Sequence, residues 1–402
     1  MLLSQIRVSN YAAIVLSIMP ILGLYNFVGP FTIVHIFILL TLFLIIISYK
    51  EITYKNPLIY LYISHFVCCI IVFFLRSNEL NSEKIIVSTF FTLFNVIIIV
   101  QLYMIANKKI FIKSSLIVGI VSTLFLFLQY FMMVSGINPP DGRLPFLDLN
   151  EHQGWAPIDI NNIYQRRLHS IFPEPSYFAI YILPLLAYCL LNKRWFLSIL
   201  FFISLIISTS SLGIILGSSV LIIVLIYTFR NNRGTILTIL VISAFGIMAT
   251  KNNHITELLG YNINKISNLG TNSDIRLIGY IDYFKLMPTE LKIFGIGYNQ
   301  VPFYFSEFGL KNYSNAFVLT LLQFGIIGFL FFIGFIIYLL TQLKAFDKIY
   351  ILIFVVICSV DAFLYNFYFY YILTFIFLSI KRDGEHFEKS NDPCLHDSKS
   401  GR

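Results

Sequence analysis

Apolar runs of bilayer-spanning length recur along almost the whole chain, and no other feature limits the fold as strongly. Each run is continuous over about 15 to 22 residues, close to the roughly 20 that an α-helix needs to cross a hydrocarbon core about 30 Å thick. That continuity excludes a membrane β-barrel, whose strands alternate apolar and polar positions. Composition agrees: 58% of the 402 residues are hydrophobic and 12% charged, against roughly a quarter charged in a soluble domain. The chain is therefore expected to be an all-α, polytopic integral membrane protein.

About twelve spans can be drawn by this criterion. Residues 1–134 carry five, at Tyr11–Val28, Phe31–Ser48, Pro57–Leu75, Ile85–Ala106 and Ser115–Val134. A long polar segment follows over 135–176. Residues 177–250 carry spans six to nine, at Tyr177–Leu191, Trp195–Ile207, Leu212–Phe229 and Thr235–Thr250. A second long segment covers 251–312. Residues 313–380 hold a span at Tyr313–Leu340 and two short runs, Tyr350–Ala362 and Leu364–Ile380, which read as a hairpin. A polar tail, 381–402, reads as disordered. No cleavable signal peptide is expected, because the first run has no clear small-residue cleavage site and further spans follow.

Orientation follows from Lys and Arg in the short loops. Arg7, Lys50 and Lys55, Lys108, Lys109 and Lys113, Lys193 and Arg194, Arg230 and Arg233, Lys344 and Lys348, and Lys381 and Arg382 gather at one set of ends. The alternate short loops carry only Arg76 and Lys84. Both termini are therefore expected in the cytoplasm and both long segments outside. The same asymmetry accounts for much of the net charge of +8, so nothing calls for nucleic acid as a partner. Cys68, Cys69, Cys189 and Cys358 fall within apolar runs and Cys394 in the tail, which is no disulfide framework. No internal repeat is visible, which weighs against transporters built from inverted halves.

Chemistry-bearing residues concentrate in the two long segments. The first opens with the turn Pro139-Pro140-Asp141-Gly142. It is rich in aromatic and aliphatic side chains, which favours order over a solvated connector. It ends in Arg166-Arg167 and then Pro173-Glu174-Pro175, where the chain re-enters the membrane. Each proline fixes its own φ and pushes the preceding residue out of the helical region. Pro175 can open the next helix, leaving Glu174 at a helix start, where the dipole favours a carboxylate. Glu174 reads either as a structural helix-start acid or as a positioned base. The arginine pair reads either as an anion site or as side chains snorkelling to lipid head groups.

In the second segment, Ser273 or Asp274 can cap a helix with Leu277, Ile281 and Phe284 on one apolar stripe. Arg276, Tyr280 and Tyr283 then fall near one another off that stripe. An interfacial helix with Arg276 on ordinary lipid phosphates fits the same pattern. Gly295-Ile296-Gly297-Tyr298 makes a tight turn without the strand and helix of a dinucleotide loop. Tyr313-Ser314-Asn315 opens the tenth span, and Asp361 lies near the outer end of a short run. An intramembrane acid is a functional candidate, although one at a span end can simply be wet. His169 and His254 have no ligand partners at useful spacing, so no metal or other cofactor is expected.

These residues resemble the Wzy-type O-antigen and capsule polysaccharide polymerases of the O-antigen ligase/polymerase superfamily. The likeness lies in an outer loop ending Arg-x6-Glu-Pro (Arg167 to Pro175), an arginine helix in a second outer loop (Arg276), a Gly-x-Gly turn, and Asn315-x3-Leu319 followed by Gly325-x2-Gly328. It covers roughly residues 115–345 in detail and the rest by hydropathy. Ligases of the superfamily place a histidine just before the asparagine of the tenth span, where this chain has Ser314; the departure favours a polymerase over a ligase. A flippase, the alternative of another class, would carry its cations inside the spans rather than in loops.

The resemblance implies a GT-C-like bundle in the bacterial inner (cytoplasmic) membrane. It also implies a glycosyltransferase acting on undecaprenyl-diphosphate-linked oligosaccharide, as in lipopolysaccharide or capsule polysaccharide biosynthesis. On that reading Arg167, Arg276 and Glu174 are catalytic, and Arg166, Tyr280, Tyr283, Tyr313 and Asn315 bind substrate. Membrane lipids are partners, and there is room for a chain-length regulator protein.

Overall fold

The structure is a computed structural model that describes residues 2–29, 31–48, 56–76, 82–149, 154–158, 167–228, 280–306 and 315–380. Its elements are helices apart from one small hairpin. Helix α1 (Leu2–Leu22) leads through β1 (Asn26–Val28) and β2 (Phe31–Thr32) into α2 (Ile33–Ser48). Then come α3 (Pro57–Arg76), α4 (Ser82–Ile105) and α5 (Lys108–Val134), and, after the first long segment, α6 (Pro175–Leu191), α7 (Trp195–Ile207) and α8 (Ser211–Thr228). The later part contains three short helices, α9 (Tyr280–Leu286), α10 (Thr289–Phe294) and α11 (Val301–Tyr304), followed by α12 (Ala316–Gln342), α13 (Lys348–Val360) and α14 (Phe367–Ile380).

Among the described residues, five helices are long and apolar enough to cross a membrane: α1, α3, α4, α5 and α12. Six more are apolar but shorter. The chain is a helical membrane protein. Large side chains such as Phe43, Ile46 and Ile47 on α2 and Phe74 on α3 face outward, as lipid-facing positions do.

The first helix differs from the span expected at Tyr11–Val28. It starts at Leu2 and stops at Leu22, because Asn26–Val28 pairs antiparallel with Phe31–Thr32 through a turn at Gly29. Hydropathy alone reads Phe27 and Val28 as helix. The gaps left between the expected spans at Leu191 and Trp195, and at Ile207 and Leu212, fall where α6 gives way to α7 and α7 to α8.

Helices α6 and α14 form the centre. Both are buried around nearly their whole circumference, as expected of a helix apolar on every side. Tyr181 of α6 stacks on Tyr371 of α14 at 4.4 Å between ring centroids. Its hydroxyl donates to the carbonyl of Ser17 in α1 at 2.9 Å. Tyr103 of α4 donates to the Tyr370 carbonyl at 2.8 Å. Phenols suit this position because each ring packs like a hydrocarbon while its hydroxyl finds a partner.

Helix α12 is broken. Gly325 adopts φ 65°, ψ −168° in the middle of it. In a regular helix the carbonyls of Leu322 and Gln323 would accept the N–H groups four residues on. Here they accept Ile296 N–H and Gly297 N–H of the Gly-Ile-Gly turn instead, both at 2.9 Å. The two backbones approach so closely that a Cβ on Gly295 would lie 2.1 Å from the Gln323 carbonyl oxygen, and one on Gly325 2.2 Å from that of Ile293. Both glycines also have positive φ. This explains the two glycine motifs physically: one unwinds the helix, and the other fills the gap with its own N–H groups.

At the break, His65 of α3 lies flat on Phe324, centroids 3.9 Å apart. Its Nε2 is 3.1 Å from the Gly328 carbonyl and its Nδ1 2.7 Å from the Tyr365 hydroxyl. A carbonyl only accepts, so Nε2 carries the hydrogen and Nδ1 accepts from the phenol.

Candidate functional site

The first long segment folds down onto the bundle around one buried glutamine. Gln129, near the end of α5, donates from Nε2 to the Pro140 carbonyl at 2.7 Å, while its Oε1 accepts the Ser170 N–H at 2.9 Å. Ser170 Oγ donates to the Ser122 carbonyl at 2.6 Å. Gly142, at φ +77°, lies so close to Ser170 that a Cβ there would meet its carbonyl oxygen at 2.0 Å. The predicted turn at residues 139–142 is thus the point where the two ends of the segment are fastened together. Tyr25 and Asn26, at the hairpin, hold its next stretch: Tyr25 Oη accepts Leu144 N–H at 2.9 Å and Asn26 N–H donates to the Asp148 carbonyl at 2.8 Å.

His169 and Trp155 complete the fastening. Trp155 Nε1 donates to the Asp141 carbonyl at 3.0 Å, and His169 Nε2 donates to the Ala156 carbonyl at 3.0 Å. The two rings meet edge to face at 5.8 Å. Arg143 pairs with Asp141 at 2.6 Å and lies over Trp155. Burial lowers the pKa of His169 below its ordinary value. Bonds to backbone carbonyls and the Asp141 charge oppose the shift, and the neighbouring Arg167 guanidinium adds to it. Sequence reasoning assigned His169 no role; its place is structural, and the half-buried Arg167 lies within electrostatic reach of it.

Glu174 stands where it was expected, as the residue before helix α6 with Pro175 first in the helix. Its backbone is extended, at φ −148° and ψ 159°, and its carboxylate takes no part in capping. The carboxylate is exposed and lies 3.3 Å from Ser176 Oγ. Tyr177, one turn inside, packs on Tyr368 of α14 at 4.8 Å and lies within electrostatic reach of both Glu174 and Asp361.

Asp361 caps the carboxyl end of α13, and its carbonyl accepts the Ala316 N–H at 2.9 Å. That bond fastens the start of α12 to the end of α13. Asn315, buried, caps α12 by accepting Val318 N–H at 2.9 Å. The amino ends of α6 and α12 therefore both lie near Asp361, and each carries the positive end of its dipole there. Such ends favour phosphate and other anions.

The structure thus brings together Glu174 and Asn315, and adds Asp361, Tyr177 and Tyr368. The role of Asp361 was left open by the sequence; its neighbours depend on a contact between helices far apart in the chain. Tyr283 is half-buried against Phe305 at 5.1 Å, on a helix whose Asp282 and Lys285 pair at 2.7 Å. Arg166, Arg276 and Tyr313 lie outside the described residues, as does the side chain of Tyr280. Among known proteins, no family profile matches the chain and no curated relative matches it.

Proposed function

We propose that the protein is a polysaccharide polymerase, a glycosyltransferase that joins undecaprenyl-diphosphate-linked repeat units into O-antigen or capsule chains. It works at the outer face of the bacterial inner membrane, with about twelve spans in a GT-C-like arrangement, two large outer loops and both termini cytoplasmic. The observation that carries this reading is the meeting of the amino ends of α6 and α12 at Asp361, with the Glu174 carboxylate exposed at the start of α6 and Arg167 a few residues before it in the fastened segment.

In the reaction, the hydroxyl oxygen of the acceptor repeat attacks the anomeric carbon of the donor sugar. The bond from that carbon to the diphosphate oxygen breaks, and the lipid diphosphate leaves with the electron pair. Glu174 takes the hydroxyl proton. The charge that grows on the diphosphate is met by Arg167 and Arg276, with Arg166 in reserve, because guanidinium forks onto phosphate oxygens and stays charged. The two helix dipoles add to that field. Direct displacement inverts the anomeric configuration. Tyr280, Tyr283, Tyr313 and Asn315 hold the substrate, and a chain-length regulator protein fits as a partner.

The test is replacement of Arg167 or Arg276 by alanine, with membrane insertion checked by blot and the surface glycan run on a gel. The ladder should collapse to a single repeat. A normal ladder from both variants would falsify the site.

A further inference from the structure

The face opposite the loop carries a cavity of about 1400 Å³ between the start of α5, the ends of α6 and α14, and the turn between α12 and α13. This is larger than the roughly 300–1,000 Å³ of typical small-molecule sites. Its rim is cationic: Lys108, Lys109 and Lys113 come from α5, Lys193 and Arg194 from the turn after α6, and Lys344 from the end of α12. Asp347 is the one acid among the described lining residues. Its depth is apolar, with Leu116, Leu197 and Phe375 in the walls.

Three details distinguish this rim from a row of solvated lysines. Lys193 has φ 57°, a left-handed conformation unfavourable for a residue with a Cβ, which helix ends usually give to glycine. The turn is fixed all the same, with Arg194 N–H donating to the Cys189 carbonyl at 2.8 Å. Lys108 donates from Nζ to the Leu378 carbonyl at 2.8 Å, closing the cavity against the last turn of α14. Arg194, exposed, lies over the Tyr188 ring at 5.5 Å. Cations are thus held at the rim by fixed backbone, above an apolar interior.

From this we infer that the cavity binds an anionic phospholipid of the cytoplasmic leaflet, its phosphate against the Lys109, Lys193 and Arg194 rim and an acyl chain along Leu116 and Phe375. Charge complementarity and an apolar depth select a lipid over a soluble anion, since basic pockets between spans on the cytoplasmic side suit acidic head groups. The site is independent of the proposed glycan chemistry, which lies at the other face.

The experiment uses the full-length protein in neutral detergent, titrated with phosphatidylglycerol, with phosphatidylcholine of the same acyl chains, or with inorganic phosphate. Bound lipid is counted by native mass spectrometry and the thermal midpoint is followed by fluorescence. Phosphatidylglycerol should bind and raise the midpoint, while phosphatidylcholine and phosphate should not. The double variant K193Q/R194Q should need at least tenfold more phosphatidylglycerol, whereas K285Q should match the parent. Counting bound lipid keeps the result readable even if the double variant is less stable. Equal binding by the double variant, equal occupancy by phosphatidylcholine, or the same midpoint rise with phosphate alone would each overturn the assignment.

Discussion

Tyr365 donates its phenol hydrogen to Nδ1 of His65, 2.7 Å away and 300 positions earlier in the chain. Tyr365 has φ 61°, an unfavourable backbone for a bulky residue. The histidine bond and ring contacts with Tyr62 and Phe369 hold it there. The loop between α13 and α14 is set by this contact, and with it Asp361.

Removing that bond should loosen the loop without emptying the core. Tyr365→Phe keeps the ring but leaves Nδ1 of a buried imidazole without its donor, a loss of about 1–3 kcal/mol. The expected outcome is a lower thermal midpoint in detergent for Tyr365→Phe. His65→Ala should cost more, because it also leaves a cavity against Phe324. An unchanged midpoint for both would show that the contact does not fix the loop.

The junction of the Gly-Ile-Gly turn with α12 admits no side chain. Gly295→Ala and Gly325→Ala each place a methyl within about 2.2 Å of a carbonyl oxygen and on an unfavourable φ, so both should lower the folded yield severely. Gly334→Ala, in the same helix, meets nothing within 4 Å and should be neutral or slightly stabilising. Size-exclusion profiles of the three variants decide the matter.

Glu174 and Asp361 can be separated by isosteric replacement. Glu174→Gln should slow glycan transfer by about 10²-fold or more if it is the base, with the protein folded as before. Asp361→Asn keeps the carbonyl that accepts Ala316 N–H, and should cost less. The reverse order of effects on kcat, measured with a lipid-linked acceptor, would move the base to Asp361.

His169 predicts a pH dependence. Its pKa is lowered in the folded protein from the ordinary 6.5, so below that pH the unfolded chain binds the extra proton. Stability is therefore full above about pH 6.5 and declines as pH falls toward the folded value, by no more than about 1.4 kcal/mol per pH unit. His169→Gln should flatten this part of the midpoint-against-pH curve; an identical slope in the variant would mean another group is titrating.

Helix positions and the start of α6 were readable because hydropathy and the Pro-Glu-Pro pattern act locally: Pro175 opens the helix and Glu174 precedes it, as the φ restriction requires. The hairpin at Asn26–Thr32 was hidden because its side chains are as apolar as those of a span. The partnership of Gln129 with Pro140 and Ser170 was hidden because nothing marks a glutamine inside an apolar run as the fastening of a loop 41 residues away. The glycine motifs were visible as spacing alone. Their meaning depended on which carbonyls lost their helical partners, and that is a fact of tertiary packing.

The break in α12 has a mechanical consequence. The upper piece, which ends in Asn315, is latched by two bonds to residues 296 and 297 rather than by an unbroken ladder to the lower piece. A shift of the stretch after α10 is therefore coupled to the first turns of α12 and to Asn315 at their head. The longer piece beyond Gly325 can keep its packing while its tip moves as a separate lever.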